Sequence, residues 1–202
     1  MNLIAIALML LPLLEQPADR VPPEIAAASE RNSGYIAAAL QEAQNYVPAW
    51  EQAMRAELAD SPVYAGNLAG YIRDASKETG VSPSVIWAVM FTESHGRHWN
   101  HYGKVKRGGA GEVGAMQVLP WWERSLKRKY GVELDLHNLR DNVRAGAYIL
   151  SRGGAELNVM LSYYNTGQRI YNSAYQRKVM RYLGRYEDDH GNLVALRKGK
   201  TG

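Results

Sequence analysis

Helical periodicity, with no run of strand-like alternation against it, most constrains what this chain can fold into. Leu68, Tyr71, Ile72 and Ala75 fall on one helical face, and Gly80 stops that helix. A second helix starts at Ser82-Pro83, where serine suits the N-cap and proline the first helical position. Residues 95–114 form a long polar loop rich in glycine. The stretch 121–130 reads as a basic helix. Asn138 or Asp141 can cap another through Val143, Ala147 and Leu150, ended by Gly153-Gly154. A short helix over 157–164 stops at Asn165-Thr166-Gly167, and a last one spans 171–183. The class is all-α, with room for a short hairpin in the central loop.

The second helix carries an anomaly. Ile86, Val89, Met90 and Glu93 sit at i, i+3, i+4 and i+7, one face that is apolar until its last member. With Gly96 ending the helix, Glu93 lies near the C-terminus, where the helix dipole disfavours negative charge. Partial burial disfavours it too. Both effects raise a carboxyl pKa, as a general acid working near neutral pH requires. A glutamate curled out to solvent is the plain alternative.

The chain has 202 residues, enough for one domain with a real core and additional segments. It contains no cysteine, so disulfides, thiol catalysis and cysteine zinc sites are excluded. A net charge of +4 permits attraction to anionic polymers without selecting one. The apolar run 3–14, broken only by Pro12, is shorter than the roughly 20 residues of a membrane span. It suits the apolar core of a signal peptide, although no Lys or Arg precedes it. Export is the expectation, with residues 1–20 as signal or anchor. Residues 21–63 read as a linker and helical extension, 64–187 as the main domain, and 188–202 as a polar tail.

Three other patterns carry less. His95, His98 and His101 are evenly spaced, but no carboxylate or cysteine completes a metal-ligand pattern, and no metal or cofactor is expected. Residues 109–114 match GxGxxG literally, yet lack the preceding apolar strand of a dinucleotide site. Arg124, Lys127, Arg128 and Lys129 form a basic cluster without a nucleic-acid-binding motif, best read as a solvated helix face.

Four stretches stand in order: Glu93-Ser94-His95-Gly96; Gly114-Ala115-Met116-Gln117-Val118-Leu119-Pro120; the helix from Asp141-Asn142 through Tyr148 to Leu150; and Ser162-Tyr163-Tyr164-Asn165-Thr166-Gly167. Together they resemble the soluble lytic transglycosylases, a lysozyme-like family that cleaves bacterial peptidoglycan. The resemblance covers roughly 64–187. It implies a lysozyme-like domain with a long central loop, and a single-carboxylate mechanism with Glu93 as acid/base. It further implies that Ser94 supports the glutamate or polar substrate groups. Met116 and Gln117 would line the glycan site, Tyr164 would lie near Glu93, and Asn165 would bind an acetamido group or hold its loop. The implied partner is the peptidoglycan glycan strand at the periplasm or cell envelope, in a secretion apparatus or a phage virion if not alone.

The chain departs from the family pattern in places. Tyr163 stands where a small residue is usual, Ala115 where leucine is commoner, and the loop 106–112 lacks the serine many relatives carry. Glu112 in that loop is a second carboxylate, which keeps a goose-type hydrolase open. A non-catalytic glycan-binding module is the alternative from another class.

Overall fold

The computed structural model describes residues 47–169 and 173–184. Expectations for the N-terminal segment, most of the helical extension and the tail fall outside them. The described helices are α1 (Ala49–Glu57), α2 (Pro62–Thr79), α3 (Pro83–Ser94), α4 (Trp121–Tyr130), α5 (Leu139–Ser151), α6 (Leu157–Thr166) and α7 (Ser173–Leu183). The all-α reading holds. In the central loop, three isolated antiparallel bridges pair Trp99 with Val105, Arg107 with Val113, and Val113 with Val118. No strand forms among the described residues.

Among the described helices, α3 is the central one. Its sequence is apolar on nearly every side, and a helix of that kind must be enclosed. Ile86, Trp87, Ala88, Val89 and Met90 have no exposed surface. α1, α2, α5 and α7 pack around it, α6 bridges α5 and α7, and α4 rests on α5. Leu68 and Ile72 of α2, Val143 and Leu150 of α5, and Val179 and Leu183 of α7 complete the same core. Each such side chain contributes about 2 kcal/mol by leaving water.

α1 joins this core through Trp50 and Met54, and Leu58 follows just past its end, all upstream of the stretch that resembles the family. Glu51, nearly buried, ties α1 to α2. It accepts hydrogen bonds from Arg55, at 2.7 Å, and from Arg73.

The helix ends show where sequence rules hold. Gly80 and Gly167 close α2 and α6 with φ of 73° and 70°, a conformation glycine adopts without a Cβ penalty. Asn138 caps α5 by accepting from the Asp141 backbone N–H. Ser82 occupies the N-cap position of α3 but makes no cap hydrogen bond; its hydroxyl pairs with that of Ser84 at 2.8 Å. α3 ends one residue before Gly96's expected stop is reached, because His95 takes the left-handed C-cap conformation itself, with φ 57°.

Candidate functional site

Glu93 lies near the C-terminal end of α3, half-buried between α7 and the central loop. The Tyr175 hydroxyl of α7 donates to its Oε1 at 2.6 Å. Burial raises the Glu93 pKa. The Tyr175 hydrogen bond and the Lys178 charge act in the opposite direction, and the Glu112 charge adds to the rise. Burial dominates, so the carboxyl holds its proton more tightly than an exposed glutamate does.

The end of α3 leaves carbonyls without helical partners. Two ammonium groups take them up. Lys178 Nζ donates to the Thr92 carbonyl at 3.2 Å, and Lys106 Nζ to that of Ser94 at 3.1 Å. Positive charge thus offsets the negative end of the helix dipole directly around Glu93.

Tyr164 of α6 donates its hydroxyl to the Met116 carbonyl. Burial, and then the Glu93 charge, push its phenol pKa well up. The same two causes raise Tyr175. Both phenols therefore stay protonated beside the glutamate and act as donors.

The facing wall is the central loop, and it is pinned from beneath. Asn142 of α5, fully buried, accepts from the Met116 N–H at 2.8 Å and donates to the carbonyls of Val113 at 2.8 Å and Leu136 at 3.1 Å. His98, also fully buried, accepts from the Ala115 N–H at Nδ1 and donates from Nε2 to the His137 carbonyl. That pair of partners assigns a neutral imidazole protonated on Nε2, and burial lowers its pKa accordingly. Gly114 sits between these two anchors. A Cβ there would come within 2.5 Å of both Asn142 Nδ2 and His98 Cε1, and its φ is 77°.

Gln117 follows with φ 46°, a left-handed conformation uncommon for a residue with a side chain. Its Nε2 donates to the Gly114 carbonyl at 2.7 Å. Glu112 accepts from the Ala110 N–H through Oε2 at 3.0 Å, and the Gln117 and Glu112 side chains both crowd Gly108. The literal GxGxxG stretch is thus a tight turn, closed by the Gly108 N–H to the Glu112 carbonyl.

The residues singled out in the sequence separate in space. Glu93 interacts with Tyr164, whose hydroxyl meets the Met116 backbone, while the Gln117 side chain turns to the Gly114 carbonyl. The Met116 side chain points into the core, where it fills the space left by Gly146. Ser94 is 1% exposed, and its hydroxyl donates back to the Met90 carbonyl. Asn165 is exposed at the last turn of α6. Of the three spaced histidines, His98 is buried while His95 and His101 are exposed. Tyr175, Lys178 and the anchoring roles of Asn142 and His98 were not evident from the sequence. No local pattern marks Tyr175, which is an amphipathic helix residue like its neighbours.

The family described as Transglycosylase SLT domain matches residues 70–181. Among solved structures, an inactive mutant of the lytic transglycosylase Slt from Pseudomonas aeruginosa matches at 21% identity with a TM-score of 0.47. The match covers 58% of this chain and 23% of that one. No curated protein matches.

Proposed function

We infer function from one premise: the chain belongs to the Transglycosylase SLT domain family, which matches it over more than half its length. We propose that it is a peptidoglycan lytic transglycosylase with Glu93 as its single acid/base. The observation that carries this is the environment of Glu93: a half-buried carboxyl at a helix end, its pKa raised, bonded to Tyr175 and facing a firmly anchored loop.

In this reading protonated Glu93 gives its proton to the glycosidic oxygen between N-acetylmuramic acid and N-acetylglucosamine, and the C1–O bond breaks. The substrate's N-acetyl oxygen stabilises the charge developing at C1. The Glu93 carboxylate then takes the proton of the C6 hydroxyl as O6 bonds to C1, giving a 1,6-anhydro product. Tyr175 holds the carboxyl in place through both steps, and the neutral Tyr164 keeps the Met116 carbonyl turned toward α6. Gln117 and Asn165 supply amide groups suited to sugar hydroxyls and acetamides. In this reading the protein works at the periplasm or cell envelope, alone, with a secretion apparatus or within a virion.

One observation favours a second reading. The Glu112 charge reaches Glu93. A second carboxylate across a water molecule would allow ordinary hydrolysis. Mass spectrometry of digested peptidoglycan separates the two. Products lighter than hydrolysed muropeptides by one water, absent with Glu93→Gln, support the transglycosylase. Reducing-end products support the hydrolase. Products that persist undiminished with Glu93→Gln would refute both, and no products from either protein would favour a glycan-binding module.

A further inference from the structure

Tyr175 and Lys178 lie three residues apart on α7, so their side chains share one face of that helix. Both reach the end of α3. The Tyr175 hydroxyl donates to Glu93 Oε1 at 2.6 Å, and Lys178 Nζ donates to the Thr92 carbonyl at 3.2 Å. Thr92 immediately precedes Glu93. The ammonium is therefore fixed to the backbone beside the carboxyl and not to the carboxyl itself. Among the described residues Lys178 forms no ion pair. A direct pair would occupy the oxygens that must give and take a proton; a charge held one residue away acts on them and leaves them open.

The groups around Glu93 divide by charge. Tyr175 and Lys178 face it from α7, Tyr164 from α6 and Glu112 from the central loop. Lys106 meets the Ser94 carbonyl, and His95 forms the C-cap. The two phenols are neutral. Lys178 and Glu112 act on Glu93 in opposite senses, and the Lys178 effect is the larger. Lys178 is also exposed, so its influence passes partly through solvent and is screened by salt, which a hydrogen bond such as that of Tyr175 is not.

We propose that Lys178 is a positioning residue of the reaction: its ammonium, seated on the Thr92 carbonyl, steadies the carboxylate that Glu93 becomes after the first proton transfer and readies it to take the C6 hydroxyl proton. This rests on the transglycosylase reading above, in which one carboxyl serves both steps. A cation beside it makes the acid release its proton more willingly, and a carboxylate made in the first step is the base required in the second.

Carbon-13 NMR of the labelled glutamates follows the Glu93 carboxyl directly, with its signal assigned by its absence in Glu93→Gln. Lys178→Met should move the titration to higher pH, and Lys178→Arg, which keeps the charge, should bring it back toward wild type. Salt should act with opposite signs. Raising ionic strength from about 0.01 M to about 1 M shortens the screening length from about 30 Å to about 3 Å. In wild type this removes mainly the Lys178 effect and should raise the titration. In Lys178→Met only Glu112 is left to screen, so the titration should fall. On glycan oligomers, kcat of Lys178→Met should drop several-fold with KM nearly unchanged. The proposal is overturned by a titration that stays in place in Lys178→Met, or by equal shifts in the Met and Arg variants, which mark a packing role. If Lys178→Met does not fold, the wild-type salt series decides, and a titration that does not rise with salt overturns it. Parallel digestion of peptidoglycan keeps the two readings apart. Anhydro products with an unmoved titration sink only the role of Lys178. A titration that moves as expected in a protein giving no products upholds the charge effect and sinks the enzyme.

Discussion

The Tyr175 hydroxyl and Glu93 Oε1, 82 positions apart in the chain, meet at 2.6 Å. The bond favours the charged carboxylate and partly offsets the burial that raises the Glu93 pKa. Removing it leaves burial less opposed.

Tyr175→Phe is therefore expected to raise the Glu93 pKa further. The acid form must be present for the first proton transfer, so activity falls as pH rises through that pKa. In the variant this limb of the pH–rate profile should move to higher pH, with turnover reduced because the carboxyl has lost its positioning contact. A profile that keeps its limb in place would sink the coupling.

Glu93→Gln should cost on the order of 10²-fold or more in rate, as expected for loss of a general acid. It should also stabilise the fold. The folded-state pKa of Glu93 is raised, so the folded state binds its proton more readily than the unfolded chain does. Stability from this group is fully present below the unfolded pKa and is lost as pH rises through the folded one. At neutral pH the amide avoids that loss, so the variant should melt at a higher temperature than wild type. The gain should shrink on acidification and vanish below the pKa of an ordinary glutamate. Thermal melts of both proteins across pH check this, and a constant difference would contradict it.

Legibility in the sequence follows the range of each interaction. Gly80, Gly167 and Asn138 end or cap helices through contacts within a turn, so their residue types announce them. Glu93 stood out because a charge at the end of an apolar face breaks a local pattern. Ser82 and Ser94 illustrate the limit. Their hydroxyls can serve a cap or a ligand, yet they turn to Ser84 and to the Met90 carbonyl. Short polar side chains choose among partners of similar energy, and tertiary packing decides. The Tyr175 and Asn142 contacts bridge elements far apart in sequence, where no period or cap exists to betray them.

Asn142 supports the loop wall with three hydrogen bonds to backbone groups of Met116, Val113 and Leu136. Asn142→Ala leaves these without their partner and opens a void, at a cost of about 3 kcal/mol. Activity should fall even at temperatures where the variant stays folded, because Met116 and Gln117 lose their footing. Denaturant melts together with turnover measured well below the melting point test this. A folded, destabilised variant with wild-type turnover would show that the loop holds its shape without Asn142.

His98 supports the same wall from the other side and brings a pH dependence of opposite sign to that of Glu93. Its Nδ1 accepts from Ala115 and its Nε2 donates to His137, so the neutral ring satisfies both neighbours. A proton on Nδ1 would face the Ala115 N–H, donor against donor. Burial lowers the folded-state pKa below the ordinary 6.5, so the unfolded chain takes up the proton first. Stability from His98 is thus complete above that ordinary value and is lost as pH falls below it toward the lowered one. His98→Gln keeps a side-chain amide in the space and cannot titrate. It should cost about 1 kcal/mol near neutral pH, from one hydrogen bond made less well. It should also flatten this part of the stability curve between neutral and mildly acid pH. Chemical denaturation at a series of pH values measures both effects, and an acid-side slope identical in wild type and His98→Gln would assign the titration to another group.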